Sequence, residues 1–295
     1  WRTLNVDRLP AAGYGSTSAS CAIIRSHYST LDGTALAFEG YQYWRHWAAH
    51  LSVEDERGLA RFEEVGCAIM KTELNGHMAS ICANLDALNI AWEDWDNDTI
   101  MKRLPIYDLR SFAPAKRMDD PGFGEATGPS MSGAVFTPQA GYITDPQLAT
   151  HNVQMAAEAA GAKFLFNADV TAIRRSGGRA CGITLANGDE IDAPVVVNVA
   201  GPHSAKINQL AGVADGMKIK TRALRQEVVH VPSPPGFDYM AHGPVTSDSD
   251  IACYSRPETG NHILYGSEDP ECDGREWVDP DDYNTEFTDQ WQTQA

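Results

Sequence analysis

The stretch from residue 141 to 204 constrains the fold of this chain most strongly. Asp145 precedes Pro146, so its side chain can cap a helix whose first turn tolerates a residue without a backbone N–H. Apolar residues then recur at helical spacing up to Ala160, and Gly161 stands where a helix commonly ends. The sequence therefore predicts a helix over residues 146–160.

Short strands follow this helix. Residues 163–167 and 170–174 are β-type runs, and residues 176–178 read Ser-Gly-Gly, which is typical of a turn. An alternating apolar run then leads up to Leu185, as in a half-buried strand. Because Asn187-Gly188 marks a tight hairpin, the whole stretch predicts a β-meander.

The next element is the apolar run from Val195 to Ala200. It lacks alternation, which predicts a strand buried on both faces of a parallel sheet. The run ends at Gly201-Pro202, and His203-Ser204 opens a predicted helix that continues through Leu210. Ligands of open α/β sheets lie beyond the carboxyl ends of such strands, and small residues let them approach the backbone.

The amino-terminal residues repeat this pattern. Residues 3–6 predict a short strand that ends in Asp7, and a loop rich in glycine and serine follows at 13–20. A dinucleotide-binding unit places an acid at such a strand end to accept hydrogen bonds from ribose hydroxyls, although a turn aspartate explains Asp7 equally well. The N–H groups of the loop suit phosphate oxygens if a helix begins there, but a solvated turn is the commoner explanation.

The glycine fingerprint GxGxxG of dinucleotide-binding units does not occur in the sequence. The chain opens at Trp1 with residues that resemble the middle of a secondary-structure element. We therefore interpret the sequence as a fragment and expect the native protein to begin about 25 to 30 residues earlier, with a strand and this fingerprint.

Composition excludes several classes of function. The chain carries 23 Lys and Arg against 40 Asp and Glu, and a net charge of −17 excludes nucleic-acid binding by general electrostatics. The longest strongly apolar run, Val195–Val197, is far from the ~20 residues needed to cross a bilayer. No GxSxG or HExxH motif supports a hydrolase. The six cysteines include no CxxC pair, which indicates reduced thiols, a cytoplasmic location (the mitochondrial matrix in a eukaryote) and no metal site.

Two further residue patterns carry predictions. Arg25 follows the apolar pair Ile23-Ile24, and its guanidinium suits bidentate binding of a carboxylate, although the residues alone favour a surface arginine. The tryptophans at 44 and 47, and those at 92 and 95, are spaced three apart, which predicts helix packing for both pairs.

Taken together, the sequence resembles the FAD-dependent oxidoreductases of the D-amino-acid-oxidase superfamily, nearest to the sarcosine oxidase and dimethylglycine dehydrogenase branch. The matching stretches are Leu4–Arg8, Gly15–Tyr28, Gly133–Pro146, Gly161–Ile173, Asn198–Gly212, Arg225-Gln226 and Tyr254–Glu258. The resemblance implies an α/β fold with α+β elements. In it a Rossmann-like FAD-binding domain with a β-meander, residues 1–65 and 140–215, is interleaved with a mixed-sheet substrate domain, residues 66–139 and 216–295.

The resemblance also assigns residues to FAD and to the substrate. Those that would contact FAD are Asp7, Arg8, Gly15, Ser16, Thr17, Ser18, Val170, Ala200 and Gly201. Asp7 would bind the adenosine ribose, residues 15–18 the pyrophosphate, and the backbone of Val170 the adenine. Arg25 matches an arginine that pairs with the substrate carboxylate, and it is the predicted catalytic residue.

The implied reaction removes a hydride from the carbon next to the amine of an amino acid or N-methyl amino acid, and the resulting imine is hydrolysed. The electron acceptor, O₂ or an electron-transfer protein, stays open, because residues 262–266 hold no counterpart of the oxygen-activating lysine of monomeric sarcosine oxidases. The alternative is a flavin-binding or partner-binding subunit without turnover. A nicotinamide-linked dehydrogenase is disfavoured, because the meander suits the flavoproteins better.

Overall fold

A computed structural model describes residues 2–288, so Trp1 and the predicted element before it lie outside the described residues. The helices are α1 Leu31–Arg45, α2 Trp47–Leu51, α3 Met78–Ala87, α4 Asn97–Arg103, α5 Pro146–Ala159, α6 Ser204–Leu210 and α7 Tyr239–His242. The strands are β1 Leu4–Val6, β2 Ile23–Ile24, β3 Phe62–Glu63, β4 Cys67–Met70, β5 Glu93–Trp95, β6 Arg110–Ser111, β7 Gly128–Ser130, β8 Ala134–Thr137, β9 Gly141–Ile143, β10 Lys163–Leu165, β11 Val170–Ser176, β12 Arg179–Leu185, β13 Glu190–Asp192, β14 Ala223–Leu224, β15 Val228–Pro232, β16 Val245–Asp248, β17 Cys253–Glu258, β18 His262–Ser267 and β19 Trp277–Val278.

The largest sheet, here called the central sheet, has the strand order β15-β18-β17-β16-β4-β8-β5. Its neighbouring strands are antiparallel except for the parallel pair β16 and β4, so it is a mixed sheet. Strand β4 is buried along its whole length because both faces of the sheet are covered. Cys67 and Ile69 pack toward α3, whereas Ala68 and Met70 pack toward α4 and α7. This alternation is the period of two that a strand imposes on its side chains.

The predicted helix and meander are confirmed. Asp145 caps α5 by accepting a hydrogen bond from the Leu148 N–H at 2.8 Å, and Gly161 follows the helix with a φ of +93°. Strand β10 runs parallel to β1, which confirms the first predicted strand. Strands β11, β12 and β13 form the antiparallel meander.

The predicted strand over residues 195–200 is wrong. The segment belongs to no strand, and Val195, Val197 and Val199 are 63%, 72% and 84% exposed. A parallel strand depends on hydrogen-bonded neighbours along its edges, and within residues 2–288 no strand pairs with this segment. Among the described residues, strand β1 likewise pairs only with β10. The helix predicted after Pro202 is confirmed as α6.

The two tryptophan pairs have different structures. Trp44 of α1 and Trp47 of α2 stack with ring centroids 4.3 Å apart, which confirms helix packing for this pair. Trp95 instead lies on strand β5 and stacks on Phe136 of β8 at 4.2 Å. The helix-packing prediction is therefore wrong for the second pair, because pairing between β5 and β8 determines its backbone.

The strands fall into groups along the sequence. The strands of the central sheet lie within residues 67–137 and 228–267. Strand β1 lies at residues 4–6, and β10 and the meander lie within residues 163–192. The division into FAD-binding and substrate domains stays a prediction. Among the described residues, no helix combines the length and apolar character needed to cross a membrane.

Candidate cofactor and substrate site

A long cleft of about 3150 Å³ passes between the segments that carry the predicted site residues. The end of β1, the loop at 13–20 and the start of β11 line one part of it. The extended segment 195–203 and residues from β16 and β18 line the rest. All the predicted site residues line this one cleft, including Arg25. The tertiary structure thus brings together residues that are far apart in the sequence, and their individual roles stay predictions.

Asp7 is held rigidly at the carboxyl end of β1. Its N–H donates to the Leu165 carbonyl at 3.0 Å, and its carbonyl accepts from the Ala168 N–H at 3.0 Å. One carboxylate oxygen, Oδ1, accepts the Leu9 N–H at 2.9 Å. Within residues 2–288 the other oxygen has no hydrogen bond, so Asp7 is a turn residue that still has an acceptor free for a ligand.

Arg8 forms an ion pair with Asp281, and its guanidinium also lies 3.0 Å from the Nε2 of His203. Asp281 also pairs with Lys206, and hydrogen bonds from Lys206 and His203, together with Arg8, hold the pKa of Asp281 well below its usual range. The Arg8 side chain is therefore already engaged by a segment near the carboxyl end of the described chain. A role in binding FAD would have to share the guanidinium with this pair.

The glycine- and serine-rich loop forms a single 3₁₀ turn over Ser16–Ala19. No regular helix begins at the loop, in agreement with the commoner explanation of a solvated turn, so few aligned N–H groups are available there. The loop rests on α5, because a Cβ added at Gly13 would lie 3.1 Å from the Thr150 Cβ. Gly15, Ser16, Thr17 and Ser18 are all exposed to the cleft.

Another segment that lines the cleft turns at Ala200 and Gly201. Gly201 has a φ of +54°, and a Cβ built on it meets no atom within 4 Å, so open space lies beside this backbone. Asn198 holds the turn: its Nδ2 donates to the Ser204 carbonyl at 2.9 Å, and its Oδ1 accepts from the Ala200 N–H at 3.2 Å. The role of Asn198 as a positioning residue was not predicted from the sequence, although asparagine after an apolar run is a turn signal.

Arg25 lies just after β2 and is exposed to the cleft. Its guanidinium carbon lies 4.4 Å from the centre of the Tyr28 ring. Within residues 2–288 it has no hydrogen bond and no ion pair, in contrast to Arg256, which pairs with Glu258 at 3.0 Å. A guanidinium without a carboxylate partner in a cleft is suited to bind an anionic ligand.

His27 is 4% exposed and lines the same cleft. Burial, and secondarily the charge of Arg25, lowers its pKa to about 3, so the imidazole is neutral at physiological pH. Its Nδ1 is buried and has no hydrogen-bond partner among the described residues. Residue type alone gives no signal of burial beside a cation, so this environment of His27 was not predicted from the sequence.

Glu268 is a charged residue of the cleft that was not predicted from the sequence. It directly follows β18, lines the cleft, and accepts a hydrogen bond from the Ser247 Oγ at 2.6 Å and one from the Ser249 Oγ at 3.5 Å. Burial raises the pKa of Glu268, while the Arg25 charge acts in the opposite direction. The signal in the sequence that could have identified Glu268 is its position immediately after a strand.

These residues fit a dinucleotide. The cleft offers an acid with a free acceptor oxygen at the end of a parallel strand, and a backbone turn at Gly201 with open space beside it. It also offers the exposed valines of segment 195–199 as apolar surface. Among residues 2–288 no group of three or more metal-ligating side chains occurs.

Comparison with known proteins places this chain in a family. The family model described as FAD dependent oxidoreductase, DAO, matches residues 1–292. Comparison with the curated proteins gives no significant match.

Several solved structures share the fold. Glycine oxidase from Geobacillus kaustophilus is 18% identical with a TM-score of 0.67, over 90% of this chain and 64% of that one. L-Proline dehydrogenase from P. horikoshii is 14% identical with a TM-score of 0.70, over 99% of this chain and 74% of that one. Iminodiacetate oxidase from Chelativorans sp. BNC1 is 17% identical with a TM-score of 0.67, over 99% of this chain and 70% of that one. This chain thus spans about two thirds of the length of the solved structures that it resembles. With the family model matching nearly its whole length, the chain belongs to the DAO family of FAD-dependent oxidoreductases.

Proposed function

We propose that this chain contains the substrate-binding and part of the FAD-binding machinery of an enzyme that oxidises the C–N bond of an amino acid or N-methyl amino acid. Glycine-, sarcosine- or dimethylglycine-like compounds are the proposed substrates. The observation that carries the proposal is that Arg25, a guanidinium without an acidic partner in the described chain, lines the same cleft as the predicted FAD residues. Either O₂ or an electron-transfer protein serves as the acceptor.

In this proposal FAD, when bound, supplies the hydride-accepting chemistry, and the protein supplies binding and orientation. Asp7 accepts hydrogen bonds from the ribose through its free oxygen. Gly15, Ser16, Thr17 and Ser18 lie along the pyrophosphate, while the backbones of Val170, Ala200 and Gly201 border the dinucleotide. Arg8 contributes positive charge beside Asp7. Residues 1–65 and 140–215 then form the FAD-binding domain, and residues 66–139 and 216–295 the substrate domain.

Arg25 holds the substrate carboxylate through two parallel N–H···O hydrogen bonds. The Tyr28 ring, 4.4 Å from the guanidinium, restricts the arginine without neutralising its charge. Anchoring one end of the substrate orients its amine-bearing carbon and so reduces the entropic cost of reaching the transition state. The six cysteines are free thiols, which supports the proposed cytoplasmic or mitochondrial-matrix location.

The experiment compares Arg25→Lys and Arg25→Met in the full-length, FAD-loaded protein. Lys keeps the charge but loses the bidentate geometry, and Met loses both, so activity is expected to fall in that order. Loss of charged hydrogen bonds predicts about a 10- to 100-fold lower kcat/KM for Arg25→Met with carboxylated substrates. The exposed Arg179→Met is the matched control.

Flavin reduction is followed by stopped flow with amino acids and with amines of matched shape that lack the carboxylate. Only the carboxylated compounds are expected to distinguish the variants. If Arg25→Met is reduced as fast as the wild type at every substrate concentration, Arg25 does not anchor the substrate. If no amine reduces the wild-type flavin, the alternative of a flavin-binding or partner-binding subunit without turnover is favoured.

A further inference from the structure

We propose that Glu268 is a specificity-determining residue that, together with Arg25, selects zwitterionic substrates by receiving their positively charged amine and repelling a second carboxylate. This inference rests on the proposed function. The substrates are then amino acids, with or without an N-methyl group, that carry no acidic group on the nitrogen.

The first observation is the placement of two opposite charges in one cleft. Arg25 follows β2 and Glu268 follows β18, and both side chains line the cleft. They are close enough for the Arg25 charge to lower the pKa of Glu268. They nevertheless form no ion pair within 4.0 Å, although other arginines of the described chain pair directly with acids. A cation and an acid that line the same cleft without pairing with each other are complementary to a zwitterion.

The second observation is that Glu268 is fixed in position. Its Oε1 accepts from Ser247, its Oε2 accepts weakly from Ser249, and its N–H donates to the Ala252 carbonyl at 2.7 Å. A carboxylate offers about four acceptor positions, so these two hydroxyls leave acceptor capacity for a ligand. A preorganised acceptor binds a cation without the cost of ordering a mobile side chain.

The third observation is that the other charges near Glu268 do not neutralise it. Asp248 is the acid whose charge further raises the pKa of Glu268, and it is engaged by the hydroxyl of Tyr107. Arg25 is the cation that acts on Glu268. A substrate amine that reaches Glu268 therefore meets a carboxyl group that forms no ion pair within residues 2–288, and a second carboxylate there is disfavoured.

The test measures ligand binding to the full-length, FAD-loaded protein after anaerobic reduction of the flavin, so that no ligand is oxidised. Sarcosine is compared with butyrate, which has the same chain shape and carboxylate but no charged amine, and with iminodiacetate, which adds a second carboxylate. Isothermal titration calorimetry gives each Kd for the wild type and for Glu268→Gln. The exposed Glu271→Gln, which changes the net charge equally, is the control.

In Glu268→Gln we expect about tenfold weaker sarcosine binding, butyrate binding within about twofold of the wild type, and several-fold tighter iminodiacetate binding. Glu271→Gln should match the wild type for all three ligands. A merely structural role of Glu268 would weaken all three ligands together, and that result would overturn the proposal. Should Glu268→Gln fail to retain FAD, the same ligands are measured with Glu268→Asp, which keeps the charge but withdraws the carboxylate by one methylene. A sarcosine-to-butyrate affinity ratio equal to that of the wild type would then overturn the proposal.

The two proposals fail in different ways. If sarcosine and related amino acids reduce the wild-type flavin, but Glu268→Gln leaves the ligand preferences unchanged, only the role of Glu268 is wrong. If no amino acid reduces the wild-type flavin, the proposed function is wrong, whatever the binding data show.

Discussion

Replacing His27 with asparagine is expected to flatten the pH dependence of folding stability below neutral pH. His27 is 4% exposed, and burial together with the Arg25 charge lowers its pKa to about 3 from an ordinary value of 6.5. The native protein therefore keeps this imidazole neutral, whereas the unfolded chain protonates it. The unfolded state thus binds one more proton than the native state over this pH interval.

The sign and magnitude follow from this difference. The native state loses stability as the pH falls from about 6.5 to about 3, and His27 has no effect on stability well above 6.5. Each pKa unit corresponds to about 1.36 kcal/mol. The interval from about pH 6.5 to about pH 5 spans about 1.5 pH units. At about 1.36 kcal/mol for each unit, His27 alone lowers the free energy of unfolding by about 2 kcal/mol at pH 5. Asparagine does not titrate, so the variant lacks this contribution.

The assay is urea denaturation, followed by tryptophan fluorescence, of the FAD-saturated protein between about pH 7.5 and about pH 5. Over this interval the free energy of unfolding of the wild type should fall by about 2 kcal/mol more than that of His27→Asn. His242→Asn, at an exposed histidine, is the control and should behave as the wild type does. Equal losses in the wild type and His27→Asn would refute the reasoning, because they would show that His27 takes up its proton in the native state.

Four further substitutions test cofactor binding and stability. Asp7→Ala in the full-length protein should weaken FAD binding by about 1 to 3 kcal/mol, and an unchanged Kd in a flavin titration would mean that Asp7 is only a turn residue. Asn152→Leu should destabilise the protein by about 3 kcal/mol or more in chemical denaturation, because the buried amide bonds to four groups that would lose their partner; a loss below about 1 kcal/mol would contradict this. Gly133→Ala should cost about 2 kcal/mol or more, because φ is +120° and the new Cβ would lie 2.1 Å from the Trp95 carbonyl oxygen. Gly40 lies in α1, and a Cβ built there meets no atom of another element within 4 Å, so Gly40→Ala should instead stabilise the protein by about 0.5 to 1 kcal/mol. Equal effects of the two glycine substitutions would argue against the steric account.

The sequence determined the elements whose causes are local. Helix α5 begins at the capping Asp145 and ends before Gly161, as the residues predict. The turns of the meander contain Gly178 and Gly188, which have positive φ values that glycine adopts without steric cost. Such signals act between residues a few positions apart, so they can be read without knowing the fold. The stretches that resemble the family also come from the sequence, and the family model matches residues 1–292.

The features that depend on distant partners follow only from the tertiary structure. The run from Val195 to Ala200 is apolar enough for a buried strand, yet within residues 2–288 no strand pairs with it and its valines are exposed. Arg8 stands beside Asp7 in the sequence, but its partner in the fold is Asp281. Glu268 shares a cleft with Arg25 although the two lie near opposite ends of the chain. Hydrogen bonds and charge interactions depend on the distance between atoms, and for residues far apart in the chain only the fold sets that distance.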